Sequence, residues 1–471
     1  MTQNVKPSRL QGLLAHLNKA RSPNLAKLYS RSAQYDRPDR NPVMLIPGLL
    51  GSKLLDQDSQ ANVWGVFSKK GTNPQTPEGV RLLALPMQPN EPLHQIRDKV
   101  VPYNTLDRMK GIFFGVPLQL RAYARILQTL GVGGFRDQQR AEEELVDYGT
   151  DHYTCFQFAY DWRRDISENA RILHQYVLGR RKFVQEKIEE NFGVKDYDVK
   201  INLIVHSMGG LLARYYLMYG DTDLPADGSV PKPNWNGAKY IEKVIIVGTP
   251  NAGSVKLLSA LVDGITLGPG LPKYEAALLG TMTSLYEMLP RARHGHVVDS
   301  NDHGKALDVF DLELWKECEW GLLNPEQDKY VKWLLPDIDS RERRYEIALE
   351  HVAKNLGRAQ QFQNAIDQST THPDDLTLNL IAADSVPTDS KISVDTASGK
   401  IKVIDLEPGD GSVTRRSALL DERTDEDWSP VLQSPIKWNN VFFIFTDHIG
   451  LTKHPMFTDN VLYHLLESPD N

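Results

Sequence analysis

Short apolar runs alternate with helix-period stretches along most of this chain. Val43–Ile46 is apolar throughout and ends in Pro47-Gly48. Tyr153–Trp162 alternates and is rich in aromatic residues, and Ile201–Val205 and Val244–Val247 are further apolar runs. Leu376–Ala383, Lys400–Leu406 and Val441–Phe445 complete the set. Between them, Leu118–Leu130 and Ala170–Phe192 repeat their apolar residues with a 3.6-residue period, and Leu211–Tyr219 is a short apolar helix pattern. Strands that read as continuous apolar runs and alternate with helices predict a mostly parallel sheet covered on both faces.

The stretch 256–362 breaks this rhythm. Its helical patches are Lys256–Val262, Tyr274–Leu289, Leu307–Glu319 and Arg343–Phe362, and no strand stands out. Gly264, Gly268, Pro269, Gly270 and Pro272 cluster between the first two. Sheet-like runs resume afterwards, so 256–362 reads as a helical cap inserted into one α/β domain. That domain takes its first part from 41–255 and its second from 363–471. The polar, basic residues 1–40 read as an N-terminal arm.

The turn between one strand and helix is chemically suggestive. Ile201–Val205 runs into His206-Ser207-Met208-Gly209-Gly210 and then into the helix Leu211–Tyr219. A nucleophile elbow of the α/β-hydrolase fold places a serine on a strained strand-to-helix turn, which demands small neighbours. The following helix also points its positive end at the site. A serine hydroxyl needs a histidine base, itself oriented by a carboxylate, and in this fold the order is Ser, acid, His. The acid is Asp410, in the glycine-flanked turn Pro408-Gly409-Asp410-Gly411, or Asp384, which ends another run. The base is His448, just past Val441–Phe445, or His454 six residues on; His464 on the last helix reads as a solvated or capping residue.

An acyl-transfer oxyanion needs converging amides. The residue after the nucleophile, Met208, supplies one, and the early loop Pro47-Gly48-Leu49-Leu50-Gly51-Ser52 supplies the second through Leu49. His206, Leu50, Trp64 and the cap residues Leu285 and Met288 are the candidates for contact with substrate. The cap's apolar stripe, Leu278, Leu279, Met282, Leu285, Met288 and Leu289, could equally be core. Gly248-Thr-Pro-Asn-Ala-Gly253 has the glycine spacing of a phosphate loop. It lacks the following lysine, and Pro250 has no amide to donate.

Composition narrows the partners. Lys and Arg number 54 against 61 Asp and Glu, a net charge of −7, so a nucleic-acid partner is not expected. The two cysteines, Cys155 and Cys318, allow no disulfide framework, and no Cys/His cluster or Asp-rich loop suggests a metal. No cofactor is expected. The chain shows neither a signal-peptide pattern nor ~18 consecutive apolar residues, and so reads as cytoplasmic, with peripheral membrane contact through the cap.

Five blocks in order resemble the lecithin:cholesterol acyltransferase-like family, which includes lysosomal phospholipases and bacterial esterases. They are Pro47–Ser52, Tyr160-Asp161-Trp162-Arg163, His206–Gly210, Gly248–Ser254 and Gly409–Val413, and the match runs from about residue 41 to the end. The resemblance implies an α/β-hydrolase with cap and lid that cleaves or transfers acyl esters of lipids. It implies Ser207 as nucleophile and Asp410 as acid. His448, Leu451 and Pro455 fit a looser His-x-x-Leu…Pro pattern, and Tyr160–Arg163 looks like a brace rather than catalytic machinery. The sequence departs in three places: Val205 replaces the usual glycine, Trp64 has no cysteine beside it, and the oxyanion position is the apolar Leu49. The expected function is a serine acyl-ester hydrolase or acyltransferase. The competing expectation is a catalytically silent relative that binds a lipid or a partner.

Overall fold

The computed structural model describes residues 25–467 except 66–70, 107–109, 114–115, 120–121, 267–270 and 425–428. Most of the expected arm and the turn residues Gly268, Pro269 and Gly270 therefore lie outside the described residues. Six strands form the central sheet: β1 (Val43–Ile46), β2 (Cys155–Gln157), β3 (Ile201–His206), β4 (Ile241–Val247), β5 (Thr377–Ala382) and β6 (Asn440–Phe443). Their spatial order is β6-β5-β4-β3-β1-β2, and every pairing is parallel. The register sets Ile46 beside Val205 and Val205 beside Ile246. All of β1 and β3 is buried, which is why their sequences carry no polar-out alternation.

Helices cover the sheet. The longest, α1 (Ile166–Phe192), starts at Asp165, whose carboxylate accepts from the amides of Ser167 and Glu168. It stops at Gly193, whose φ of 69° suits a residue without a side chain. The helix after the candidate elbow, α2 (Met208–Tyr219), is buried at every position, so it is apolar nearly all round rather than amphipathic, and its one charged residue, Arg214, is bonded to Asn251 and the Ile366 carbonyl. Helix α3 (Arg341–Ile366) is capped by the Ser340 side chain at the Arg343 amide. The chain ends in α4 (Pro455–Leu466).

Two expectations need correction. Lys400–Leu406 is not a strand of the central sheet. It belongs to Lys400–Gly409, which pairs antiparallel with Val386–Asp395 in a separate three-stranded sheet completed by Val297–Asp299. Charges at Lys400, Lys402, Asp405 and Glu407 interrupt its apolar residues, and Lys400, Lys402 and Asp405 are exposed, so it can be covered on one face at most. The stretch 256–362 also contains strands: Ile265–Thr266 pairs with Lys273–Tyr274, and Val297–Asp299 joins the ribbon. Strands of two or three residues carry no readable period. Tyr274–Leu289 is accordingly not one helix but two short ones, Ala276–Leu279 and Thr283–Glu287, with Met282 extended between them. A side chain on Gly280 would meet Leu322 Cγ at 2.9 Å.

Candidate active site

Strand β3 ends at His206, and the chain turns into α2 through Ser207, whose φ is 53° and ψ −127°. A non-glycine residue in that region is strained. The strain is held by packing on all sides. The Ser207 amide donates to the Val247 carbonyl at 2.8 Å, and Thr249 Oγ1 donates to the Ser207 carbonyl at 2.8 Å. A Cβ on Gly209 would lie 2.4 Å from the Pro47 carbonyl oxygen, and one on Gly210 would lie 2.0 Å from Thr249 Oγ1. Val205, by contrast, is a fully buried strand residue paired between Ile46 and Ile246, and nothing at that position demands a glycine.

The loop after β1 presses against the serine. A Cβ on Gly48 would lie 2.7 Å from Ser207 Cβ. The loop then turns through Leu50, whose φ is 62°. It is braced from several directions. Tyr160 donates its hydroxyl to the Pro47 carbonyl at 2.8 Å, and Trp64 Nε1 donates to the Leu50 carbonyl at 2.9 Å. Trp162 Nε1 reaches the Ser52 carbonyl at 3.2 Å. Arg163, fully buried, pairs with Asp161 at 2.7 Å and Asp98 at 2.6 Å and donates to the Leu83 and Ala84 carbonyls. The block Tyr160–Arg163 thus ties the loop to its surroundings and reaches no catalytic candidate directly.

Asp410 and His448 meet. His448 Nδ1 lies 2.7 Å from Asp410 Oδ2, and the His448 amide donates to the Asp410 carbonyl at 2.8 Å. The other carboxylate oxygen accepts from the amides of Ser412 and Val413 at 2.9 and 2.7 Å. Both side chains are buried. Burial pulls the His448 pKa down, but the charge and hydrogen bond of Asp410 outweigh it, so the pKa rises above the ordinary histidine value. Across the strand end, a Cβ on Gly248 would lie 3.2 Å from His448 Cε1, so that glycine leaves the imidazole its room.

The other candidates sit elsewhere. Asp384 is about a third exposed and paired with Arg415 at 2.6 Å. His454 caps α4, its Nδ1 accepting from the Met456 amide at 3.2 Å. His464 is buried against Phe442 rather than solvated, because α4 packs that face on the edge of the sheet. His206 lies in the interior of the protein. It is buried between Tyr123, whose hydroxyl lies 3.2 Å from Nδ1, and His448, with ring centroids 5.1 Å apart. Burial, reinforced by the neighbouring His448, lowers its pKa to about 3. Tyr123 was not legible as a site residue: it lies on one turn of an ordinary amphipathic helix.

An apolar pocket adjoins the loop. Leu49, Leu50, Trp64, Trp162, Tyr274 and Leu285 are among its lining residues, and the aromatic edge of Trp64 packs on Trp162 at 5.3 Å. Its open space is about 20 Å³, close to the room one water needs. Met288 is buried beyond it, its carbonyl accepting from the Ser254 amide at 3.0 Å. Among the described residues, no group of three or more His, Cys, Asp or Glu side chains is placed to hold a metal, and no helix is long and apolar enough to cross a membrane.

Residues 138–370 match the model of the lecithin:cholesterol acyltransferase family. Over those residues, just under half of the chain, it is similar to the lecithin:cholesterol acyltransferase-like family. A relative from Arabidopsis thaliana, named "Putative phospholipid:diacylglycerol acyltransferase 2", is 29% identical over 220 residues. The similarity takes in 45% of this chain and 30% of that relative's length. A chain in the crystal structure of the Tle4–Tli4 complex superposes with a TM-score of 0.53 at 14% identity, covering 91% of this chain and 98% of that one. That likeness concerns the fold alone. With the all-parallel sheet and the strained turn at Ser207, the fold is that of an α/β-hydrolase. Proteins that share this fold need not share a substrate, and the chemistry lies in the site.

Proposed function

We propose that this protein is a serine acyl-ester hydrolase, or acyltransferase, that acts on lipid-like esters. The observation that carries the reading is the buried Asp410–His448 pair, bonded at 2.7 Å, on the same sheet edge as a strained, half-buried Ser207. The similarity to the lecithin:cholesterol acyltransferase family supports the substrate class.

In this reading Ser207 Oγ attacks the ester carbonyl carbon as His448 Nε2 takes the hydroxyl proton. Asp410 holds Nδ1–H and stabilises the imidazolium. The carbonyl π-bond opens, and the resulting oxyanion is met by the amides of Leu49 and Met208. Collapse expels the alkoxide, which leaves as the alcohol with the proton from His448. Water or a second alcohol then attacks the acyl-serine, giving up its proton to His448, and the serine oxygen is released with that proton. Segment 256–362 acts as the cap, and Leu50, Trp64 and Leu285 hold the acyl chain once the closed pocket opens. Contact of this cap with a lipid surface belongs to the same proposal.

The test is a serine-directed fluorophosphonate label together with a panel of acyl esters, with and without an alcohol acceptor. Labelling and turnover in the native protein that both vanish in Ser207→Ala are expected. A native protein that takes no label and turns over no ester would leave a silent lipid- or partner-binding relative in its place.

A further inference from the structure

The peptide unit between Pro47 and Gly48 is held at both ends by buried tyrosines. Its carbonyl accepts from the Tyr160 hydroxyl at 2.8 Å, and its amide donates to the Tyr123 oxygen at 2.8 Å. Both tyrosines are 1% exposed, so neither bond competes with bulk water. The next amide along the chain is that of Leu49. Fixing one peptide plane fixes the direction from which the following amide starts, because only two soft torsions separate them.

The Tyr123 bond has a second consequence. A phenol has one proton, and an amide can only donate. With Gly48 N–H donating to the Tyr123 oxygen, the phenolic proton is free to go to His206 Nδ1, 3.2 Å away. Nδ1 is then an acceptor, and the His206 proton sits on Nε2. That nitrogen is buried. His206 therefore stays neutral beside His448 and adds no second positive charge to the imidazole.

We infer that Tyr123 and His206 are positioning residues. They form a neutral relay, Gly48 N–H to Tyr123 O–H to His206 Nδ1, that sets the oxyanion-binding loop and keeps the His206 ring uncharged behind the nucleophile. The inference rests on the hydrolase reading above and names residues that this reading leaves without a role. Neither side chain touches substrate. Their effect is on the placement of the loop, and so on the transition state more than on the bound ester.

Steady-state kinetics on a soluble acyl ester tests it, with Tyr123→Phe, His206→Leu and His206→Asn beside the native protein. Tyr123→Phe keeps the ring and removes the hydroxyl. It should lower kcat by about 10- to 100-fold, less than the loss of a direct oxyanion donor, and leave KM within about threefold. His206→Leu removes the acceptor and should fall as far. His206→Asn offers an oxygen near the place of Nδ1 and should recover most of kcat. Nitrogen-15 NMR of labelled histidines at pH 7 should show His206 protonated at Nε2 only. The relay is overturned by an unchanged kcat in Tyr123→Phe, by His206→Asn as poor as His206→Leu, or by an Nδ1–H tautomer. Failure of the hydrolase reading looks different: the native protein itself then neither turns over esters nor takes the label, and the relay has nothing to position.

Discussion

At the scale of single residues, two observations do most of the work: the φ of 53° at Ser207 and the 2.7 Å contact between Asp410 and His448. A side chain is kept in the left-handed region only where its surroundings over-determine it, and Gly48, Gly209, Gly210 and Thr249 do that here. Ser207→Ala removes only an oxygen, so it should retain the melting temperature while turnover falls by about 10⁴ or more. Ester hydrolysis and thermal melting on the same preparations check it. The acid can be tested by pH. Asp410 raises the His448 pKa, so under the proposed mechanism activity should climb through a midpoint above 6.5. Asp410→Asn removes the charge that raises it. Besides losing rate, the variant should show its acid limb at lower pH, whereas Asp384→Asn should leave the limb in place. A limb that stays put in Asp410→Asn, or moves in Asp384→Asn, would transfer the role of acid. His448→Ala should be nearly as damaging as the serine change, and His454→Ala mild, since that ring spends its Nδ1 on a helix cap.

At the scale of elements, the sequence is most readable where one physical demand dominates. The buried strands β1, β3 and β4 face protein on both sides, so their apolar runs announce themselves. The turns around Ser207 and Asp410 carry glycines because backbone passes too close for a Cβ: a side chain on Gly409 would meet the Val413 carbonyl at 2.4 Å. The reading fails where two demands mix. Lys400–Gly409 looks like another sheet strand because its apolar residues recur, but its charges keep it in a ribbon outside the sheet. Leu278–Leu289 has helical spacing, yet the chain is extended at Met282 and forms two short helices. Tyr123 contributes a single hydroxyl, and no pattern along one helix can reveal a contact 75 residues away. The cap stripe divides in the same way. Leu285 lines the closed pocket and Met288 does not. Leu285→Ala should therefore lower kcat/KM about 3- to 10-fold more for long-chain than for short-chain esters, at roughly 0.8 kcal/mol per buried methylene lost from contact. Met288→Ala should cost stability, ~2–5 kcal/mol, with the chain-length ratio unchanged. Equal ratios in both variants would mean that Leu285 is core and the acyl chain goes elsewhere.

At the scale of the whole molecule, polar side chains, most of them buried, stitch segment 256–362 and α3 to the sheet domain. Arg358 on α3 is bonded to Asp165, the cap of α1, and to Asp223 at 2.6 Å. Arg291 and Arg293 share Asp367, and Arg293 goes on to Glu422 at 2.6 Å. Glu287, fully buried at the end of Thr283–Glu287, accepts from the Ile166 amide at 2.9 Å at the start of α1. Its carboxyl also hydrogen-bonds the Asp165 side chain. Burial, with the Asp165 charge beside it, pushes the Glu287 pKa well above the usual carboxylate range, and Arg358 only partly opposes this. The folded protein thus holds a proton that the unfolded chain releases near pH ~4.3. A group whose folded pKa is raised stabilises the fold fully below its unfolded pKa, and that contribution is lost as pH rises towards the folded value. Glu287→Gln keeps an oxygen for the Ile166 amide, supplies donors towards Asp165 and cannot ionise. Its melting temperature should match the native protein near pH 4 and exceed it by a margin that widens up to pH 9. Thermal melting of both proteins across that range measures the margin. A constant offset at every pH, or a variant that loses ground as pH rises, would mean that Glu287 is ionised in the folded protein and that the junction of segment 256–362 and α1 is held by charge rather than by a buried proton.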